Sequence, residues 1–211
     1  MFIFRNKHLF FPFSRQWSKI LLFITGVKVK VNGQEILYVN ETYIFITNHS
    51  SLFDIPIILG TLTNYNVAII YKKELEKVPF FGIGLKASPF IPVVREDPRS
   101  SLTSIENAVE SINKGISVLV FPEGTRSKDG KVGEFKRGAF LLASRSGMPI
   151  VPIAINGSWK IMPNKKLFFS GGVVDITIHS PIRFTLPLDR NSEKKLMNDV
   201  YSSIKDSLEN G

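Results

Sequence analysis

The chain contains no cysteine. This excludes disulfide bonds, thiolate metal sites and a thiol nucleophile, and it fits a reducing compartment. Histidine is scarce: His8, His49 and His179 lie far apart, and without cysteine they give no metal-ligand spacing, so no metal is expected. No stretch reaches the roughly 18 to 20 continuous apolar residues of a membrane-spanning helix. The N-terminus has neither a long apolar core nor a small-residue cleavage site, so a removable signal peptide is not expected. Acidic residues are missing from the start of the chain; the first is Glu35.

What is present is an aromatic and basic beginning. Phe2, Phe4, Phe10, Phe11, Phe13, Trp17 and Phe23 are mixed with Arg5, Lys7, Arg15 and Lys19. Rings at the headgroup level and cations on anionic lipid are what an interfacial segment uses. Residues 1–26 are therefore expected to form a membrane-interfacial segment, with a helix over Ser14–Ile24 that places Trp17, Ile20, Leu21 and Ile24 on one face. Packing on the core is the alternative for that face. The whole chain of 211 residues carries a formal net charge of +9, which favours an anionic partner. No nucleic-acid motif is present, and the aromatics sit in apolar runs, so nucleic acid is not the expected partner.

Residues 27–211 read as one layered domain. Val27 to Val31 alternates as a half-exposed strand that Asn32-Gly33 turns. Strands are expected at Ile36–Val39, Tyr43–Thr47, Val67–Tyr71, Phe90–Val94, Ile116–Phe121, Ile150–Ile155 and Val173–Ile178. Helices are expected from about Asp54 to Leu59, in two short pieces broken at Pro79, after an Asp97-Pro98 cap as far as Lys114, from Arg137 to Ser146, and after a Ser192 cap with Leu196, Val200, Ile204 and Leu208 inward. Strands alternating with helices imply an α/β domain with a mostly parallel central sheet flanked by helices, preceded by the amphipathic aromatic-rich segment.

Two stretches carry the chemistry. Asn48-His49-Ser50-Ser51-Leu52-Phe53-Asp54 follows the buried run Tyr43-Ile44-Phe45-Ile46, at the strand end where α/β sheets collect reacting groups. Residues five apart point about 140° away from each other within one helix. His49 and Asp54 meet only if His49 is in the strand-to-helix turn and Asp54 begins the helix, as Pro56 supports. The acid can then hold one ring nitrogen and leave the other to take a proton. Phe121-Pro122-Glu123-Gly124-Thr125-Arg126-Ser127 leaves a second strand into a loop that offers glycine, hydroxyls and a guanidinium suited to phosphate. Lys136 and Arg137 near a helix start, and Arg95 at another strand end, add cations.

His49 to Asp54 resembles the HX4D motif of the glycerolipid acyltransferases. Phe121 to Arg126 resembles that family's FPEGTR motif, seventy-odd residues later. Val93-Val94-Arg95 is similar to its intermediate arginine block, with a less common first pair. Val151-Pro152-Ile153-Ala154-Ile155 is similar to its last apolar block, and Lys73-Glu74-Leu75 with Pro79 and Gly82 fits the segment between the first two. The likeness covers about residues 27 to 185 and is greatest to the 1-acylglycerol-3-phosphate acyltransferase branch.

The resemblance implies acyl transfer from a thioester, acyl-CoA or acyl carrier protein, to the 2-hydroxyl of lysophosphatidate, giving phosphatidate. His49 would be the base and Asp54 its orienting acid. Arg95, Glu123, Gly124, Thr125, Arg126 and Lys136 would bind the acceptor, with Glu123 orienting Arg126 or a glycerol hydroxyl. A thioester is already activated, so no cofactor is implied. Glycerol 3-phosphate or another lysophospholipid as acceptor remains open, as does a non-enzymatic basic membrane-binding module. A serine hydrolase is disfavoured because no G-x-S-x-G elbow is present. Family members often carry spanning helices before the first motif; here the expectation is a monotopic or peripheral protein at the cytoplasmic face of a membrane. Phe80, Phe81, Ile83 and Leu85 are expected to wall an apolar groove beside His49.

Overall fold

Seven strands build one sheet in the order β1-β7-β6-β2-β5-β3-β4. They are β1 Val27–Asn32, β2 Ile44–Thr47, β3 Val67–Lys72, β4 Ile91–Val93, β5 Ser117–Val120, β6 Ile150–Asn156 and β7 Gly172–Ile178. The helices are α1 Lys7–Ile24, α2 Asp54–Thr61, α3 Phe81–Ala87, α4 Pro98–Asn113, α5 Gly138–Ser146, the single turn α6 Ser158–Ile161, and α7 Arg190–Glu209. This computed structural model describes residues 7–79, 81–94, 97–162 and 169–209. All neighbouring strands are parallel except β6 and β7. The sheet is therefore mostly parallel and flanked by helices, as the alternation of strand and helix patterns implies.

The central strands are apolar on both faces because both faces are covered. Ile44 and Ile46 of β2 point into a core with α4, α5 and α7, where Leu196, Val200 and Ile204 are buried at the i+4 spacing of α7. Tyr43 and Phe45 point the other way, onto Ile57 and Ile58 of α2 and Leu22 of α1. The alternating pattern of β1 suits its place at an edge, where Lys28 and Lys30 face solvent.

Four local expectations are corrected. Ile36–Val39 is not a strand: Gln34–Ile36 is a 3-10 turn entered through Gly33 at φ 86, and the Tyr38 N–H donates to the Tyr43 hydroxyl instead of to a strand. The last helix starts at Arg190 because the Asp189 carboxylate, not Ser192, caps it, accepting from the Ser192 N–H at 2.7 Å. The N-terminal helix is already formed at Lys7, not first at Ser14, which lies inside it and donates to the Phe11 carbonyl. Its inward face is Phe10, Phe11, Ser14, Ser18 and Leu22; Trp17, Ile20 and Ile24, expected together on one face, are exposed. Small side chains serve that inward face because α2 is close: a Cβ on Gly60 would meet Leu22 at 3.3 Å. Of the expected groove wall, Leu85 is buried, Phe81 and Ile83 are exposed, and Phe80 lies outside the described residues.

Asn48 extends the sheet past the end of β2 with its side chain. Its amide donates to the Ile155 carbonyl at 2.9 Å and accepts from the Ile155 N–H at 2.8 Å, standing in for a backbone bridge to β6. Removing it leaves two buried backbone groups unpaired, at about 1–3 kcal/mol for each group. Asn48→Ala is accordingly expected to lose on the order of 2 kcal/mol of stability. A urea midpoint within error of wild type would contradict this account of the end of β2.

Candidate active site

Parallel pairing of β2 with β5 brings the two motifs out of the sheet side by side, since Ile46 is in register with Val120. Beyond that register, the ring of His49 lies flat on the ring of Phe121, with centroids 4.0 Å apart and an interplanar angle of 25°. The imidazole is held in its plane by this face and by Asp54.

Asp54 is the first residue of α2 and has no exposed surface. Its Oδ2 accepts three N–H groups: His49 Nδ1 at 2.8 Å, the Ser50 amide at 2.8 Å and the Ser51 amide at 2.9 Å. Paired with an ionised carboxylate, which only accepts, Nδ1 is the donor of this contact and a neutral ring has its lone pair on Nε2. The His49 side chain is 15% exposed, against 0% for Asp54. The turn between them is locked from outside as well: Ser50 Oγ and Ser158 Oγ are 2.9 Å apart, and Ser51 Oγ donates to the Met162 carbonyl.

Glu123 is also buried, and it is occupied. Its Oε1 accepts from the His49 backbone N–H at 2.8 Å, and its Oε2 from the Gly133 N–H at 2.9 Å. Burial raises its pKa above the ordinary glutamate value, and the two backbone N–H groups oppose that shift only in part. With one main-chain donor on each oxygen, the carboxylate ties the His49 backbone to the loop at Gly133. Gly124 takes a left-handed φ of 72°, and the Lys136 side chain lies across it, 3.3–3.4 Å from where a Cβ would stand. Ser127 then returns to the first motif, its N–H donating to the His49 carbonyl at 2.8 Å.

Past the FPEGTR stretch the chain opens a cleft of about 950 Å³, lined among others by Thr125, Lys128, Lys131 and Lys136. Thr125 and Lys136 are exposed there, and Arg126 is half-buried beside it. Arg137 also borders the cleft but is paired with Glu193 of α7. The far side of the loop rests on Trp159 at Gly130, where φ is 81° and a Cβ would stand only 2.4 Å from the indole. The structure thus brings together His49, Asp54, Glu123, Gly124, Thr125, Arg126 and Lys136; Arg95 lies outside the described residues. Sequence reasoning missed Asn48, Phe121 and Gly133 as parts of this assembly. Phe121 stood within the matched motif and could have been found; nothing local marks Gly133.

Comparison with known proteins gives the family of the chain. The family model described as Acyltransferase matches residues 28–156. The chain is 36% identical over 171 residues to a chloroplastic 1-acyl-sn-glycerol-3-phosphate acyltransferase, BAT2, of Brassica napus, covering 80% of this chain and 49% of that protein. It is 30% identical to the 1-acyl-sn-glycerol-3-phosphate acyltransferase of Borreliella burgdorferi over 95% of this chain and 80% of the relative. The crystal structure of the 1-acyl-sn-glycerophosphate (LPA) acyltransferase, PlsC, from Thermotoga maritima superposes with a TM-score of 0.81 at 30% identity, covering 97% of this chain and 80% of that one. The chain spans about half the length of the plant relatives that it matches. A family model that matches residues 28–156, and a relative 30% identical over 95% of this chain and 80% of its own length, place it: the chain belongs to the acyltransferase family.

Proposed function

We propose that this chain transfers an acyl group from a thioester to the 2-hydroxyl of lysophosphatidate, giving phosphatidate. The observation that carries the reading is the 2.8 Å contact between His49 Nδ1 and the buried Asp54 carboxylate, at the sheet edge where the FPEGTR loop also emerges. The names of the relatives supply the acceptor.

His49 Nε2 takes the hydroxyl proton as the acceptor oxygen attacks the thioester carbonyl. The C–S bond breaks, and the imidazolium returns the proton to the leaving thiolate. Asp54 keeps the base in the productive tautomer and stabilises the imidazolium, while the Phe121 face limits the tilt of the ring. The acceptor phosphate falls to Arg126 and Arg95, with Lys136 close by over Gly124 and Thr125 offering a hydroxyl at the rim. Acyl-CoA and acyl carrier protein present the same thioester, so the reading holds for both donors.

The substrates carry acyl chains, and we place the catalytic edge against a bilayer. β7 runs antiparallel to β6 and so starts at the His49 end of the sheet; β1 pairs with that start, Val27 against Gly172. The C-terminus of α1 is therefore at the catalytic edge, where Phe23 is 86% and Ile24 73% exposed. Leu9, Phe13, Trp17 and Ile20 continue the apolar row along the helix. Among the described residues no helix is long and apolar enough to cross a membrane, and residues 1–26 fit a segment lying in one leaflet.

Three outcomes are expected. His49→Ala should lower acyl transfer to lysophosphatidate by about 10²–10⁴-fold while vesicle binding persists, read by mass spectrometry of the lipid product; near-normal turnover would remove the base assignment. Phe23→Ser combined with Ile24→Ser should weaken binding to anionic vesicles by roughly tenfold or more in co-sedimentation, since each apolar side chain gains about 1.5–3 kcal/mol on full burial. Undiminished sedimentation would place the lipid elsewhere. The third outcome concerns Glu123, whose folded pKa is raised from the ordinary 4.5. Its contribution to stability is fully present below 4.5 and is lost as pH rises through the raised folded value. Glu123→Gln does not ionise. The difference in urea midpoint should therefore drift in favour of Glu123→Gln as pH rises from 4.5, and a difference flat with pH would refute the burial shift.

A further inference from the structure

One residue is gripped on both sides by a single loop. The His49 N–H donates to Glu123 Oε1, and the His49 carbonyl accepts from the Ser127 N–H, each at 2.8 Å. Arg126 stands on the short arc between those two anchors. A displacement of that arc, such as an anion on the guanidinium would produce, pulls on the backbone that carries the imidazole. The arc is tied in turn to the rest of its loop. Glu123 Oε2 accepts from the Gly133 N–H at 2.9 Å, Ser127 Oγ from the Gly130 N–H at 2.9 Å, and the Pro122 carbonyl from the Lys136 N–H at 2.9 Å. There is no slack at Gly133, where a Cβ would stand 2.9 Å from Glu123 Oε2. Glu123 is only 6% exposed, so it has little water to exchange for these donors.

We propose that Glu123 is a positioning residue that couples occupancy of the anion site at Arg126 to the placement of the His49 imidazole. The acceptor phosphate is then read in the rate of proton removal as well as in binding. This rests on the acyltransferase reading above. Binding energy from a part of the substrate that does not react can be used to orient the groups that do. Orientation is steep in effect: a misplacement of about 1 Å can cost on the order of 100-fold in rate. The ligand class is a phosphate monoester dianion. A neutral 1-monoacylglycerol offers the same hydroxyl without it.

The test splits the acceptor in two. Full-length protein is given acyl-CoA and 1-monoacylglycerol, with phosphite dianion as the separate anion. Phosphite should accelerate acyl transfer in the wild type by about tenfold or more. In Glu123→Gln one acceptor oxygen becomes an NH₂ group facing an N–H, and the acceleration should fall below about twofold, with little change in the phosphite concentration giving half effect. Arg126→Ala should instead raise that concentration. Equal acceleration in the wild type and in Glu123→Gln overturns the coupling, as does no acceleration in a wild type that acylates lysophosphatidate. A wild type that acylates neither acceptor would instead overturn the reading beneath it. If Glu123→Gln does not fold, the unmodified protein still decides: saturating phosphite should slow hydrogen exchange at the His49 amide, and unchanged exchange refutes the proposal.

Discussion

The structure around the site depends on one oxygen atom. Asp54 Oδ2 gathers the His49 ring and the amides of Ser50 and Ser51, so a single buried acceptor sets both the path of the turn and the direction of the imidazole. A carboxylate removed from water is costly unless donors surround it, and here the donors are the turn itself. The charge and the turn therefore stabilise each other. Ser158 and Met162, after β6, brace the same turn from a second strand exit.

Around that oxygen, three neighbouring parallel strands each contribute at the same edge. β2 supplies the His49 turn, β5 supplies Phe121 and the loop that grips the His49 peptide, and β6 supplies Ile155 for Asn48 and Ser158 for Ser50. Their register places Ile46 beside both Val120 and Pro152, so the three exits are level. Gathering reacting groups at the carboxyl ends of strands is general to open α/β sheets. At this edge much of the holding is done by side chains acting on backbone, with Asn48, Asp54 and Glu123 each accepting from main-chain N–H groups.

The parts of this that the sequence made legible are those with a local cause. The apolar run of β2, the Asp97 cap and the αL glycine Gly147 after α5 each declare themselves within a few residues, and each is where the pattern puts it. The His49–Asp54 meeting could be argued because only a turn-then-helix geometry lets residues five apart touch. Ile36–Val39 misled because Ile36 and Leu37 reach the core without a neighbouring strand while Tyr38 and Val39 stay exposed, which composition does not reveal. The face of α1 was legible in part: Trp17, Ile20 and Ile24 do lie exposed together, but the inward side, with Ser18 against Gly60, carries too little apolar pattern to announce itself. The use of Glu123 was illegible because Gly133, its second partner, is marked only by a contact between parts of the folded loop.

Asp54 Oδ1 is buried and accepts from none of the described residues, while its sister oxygen takes three donors. An uneven carboxylate of this kind is a reservoir of instability of about 1–3 kcal/mol that a mutation elsewhere could in principle relieve. Relief would mean supplying a new donor, and a new donor would draw electron density and position away from the atom that steers the imidazole. Stabilising changes that leave the imidazole where it is therefore lie in distant packing, in caps and in surface charge.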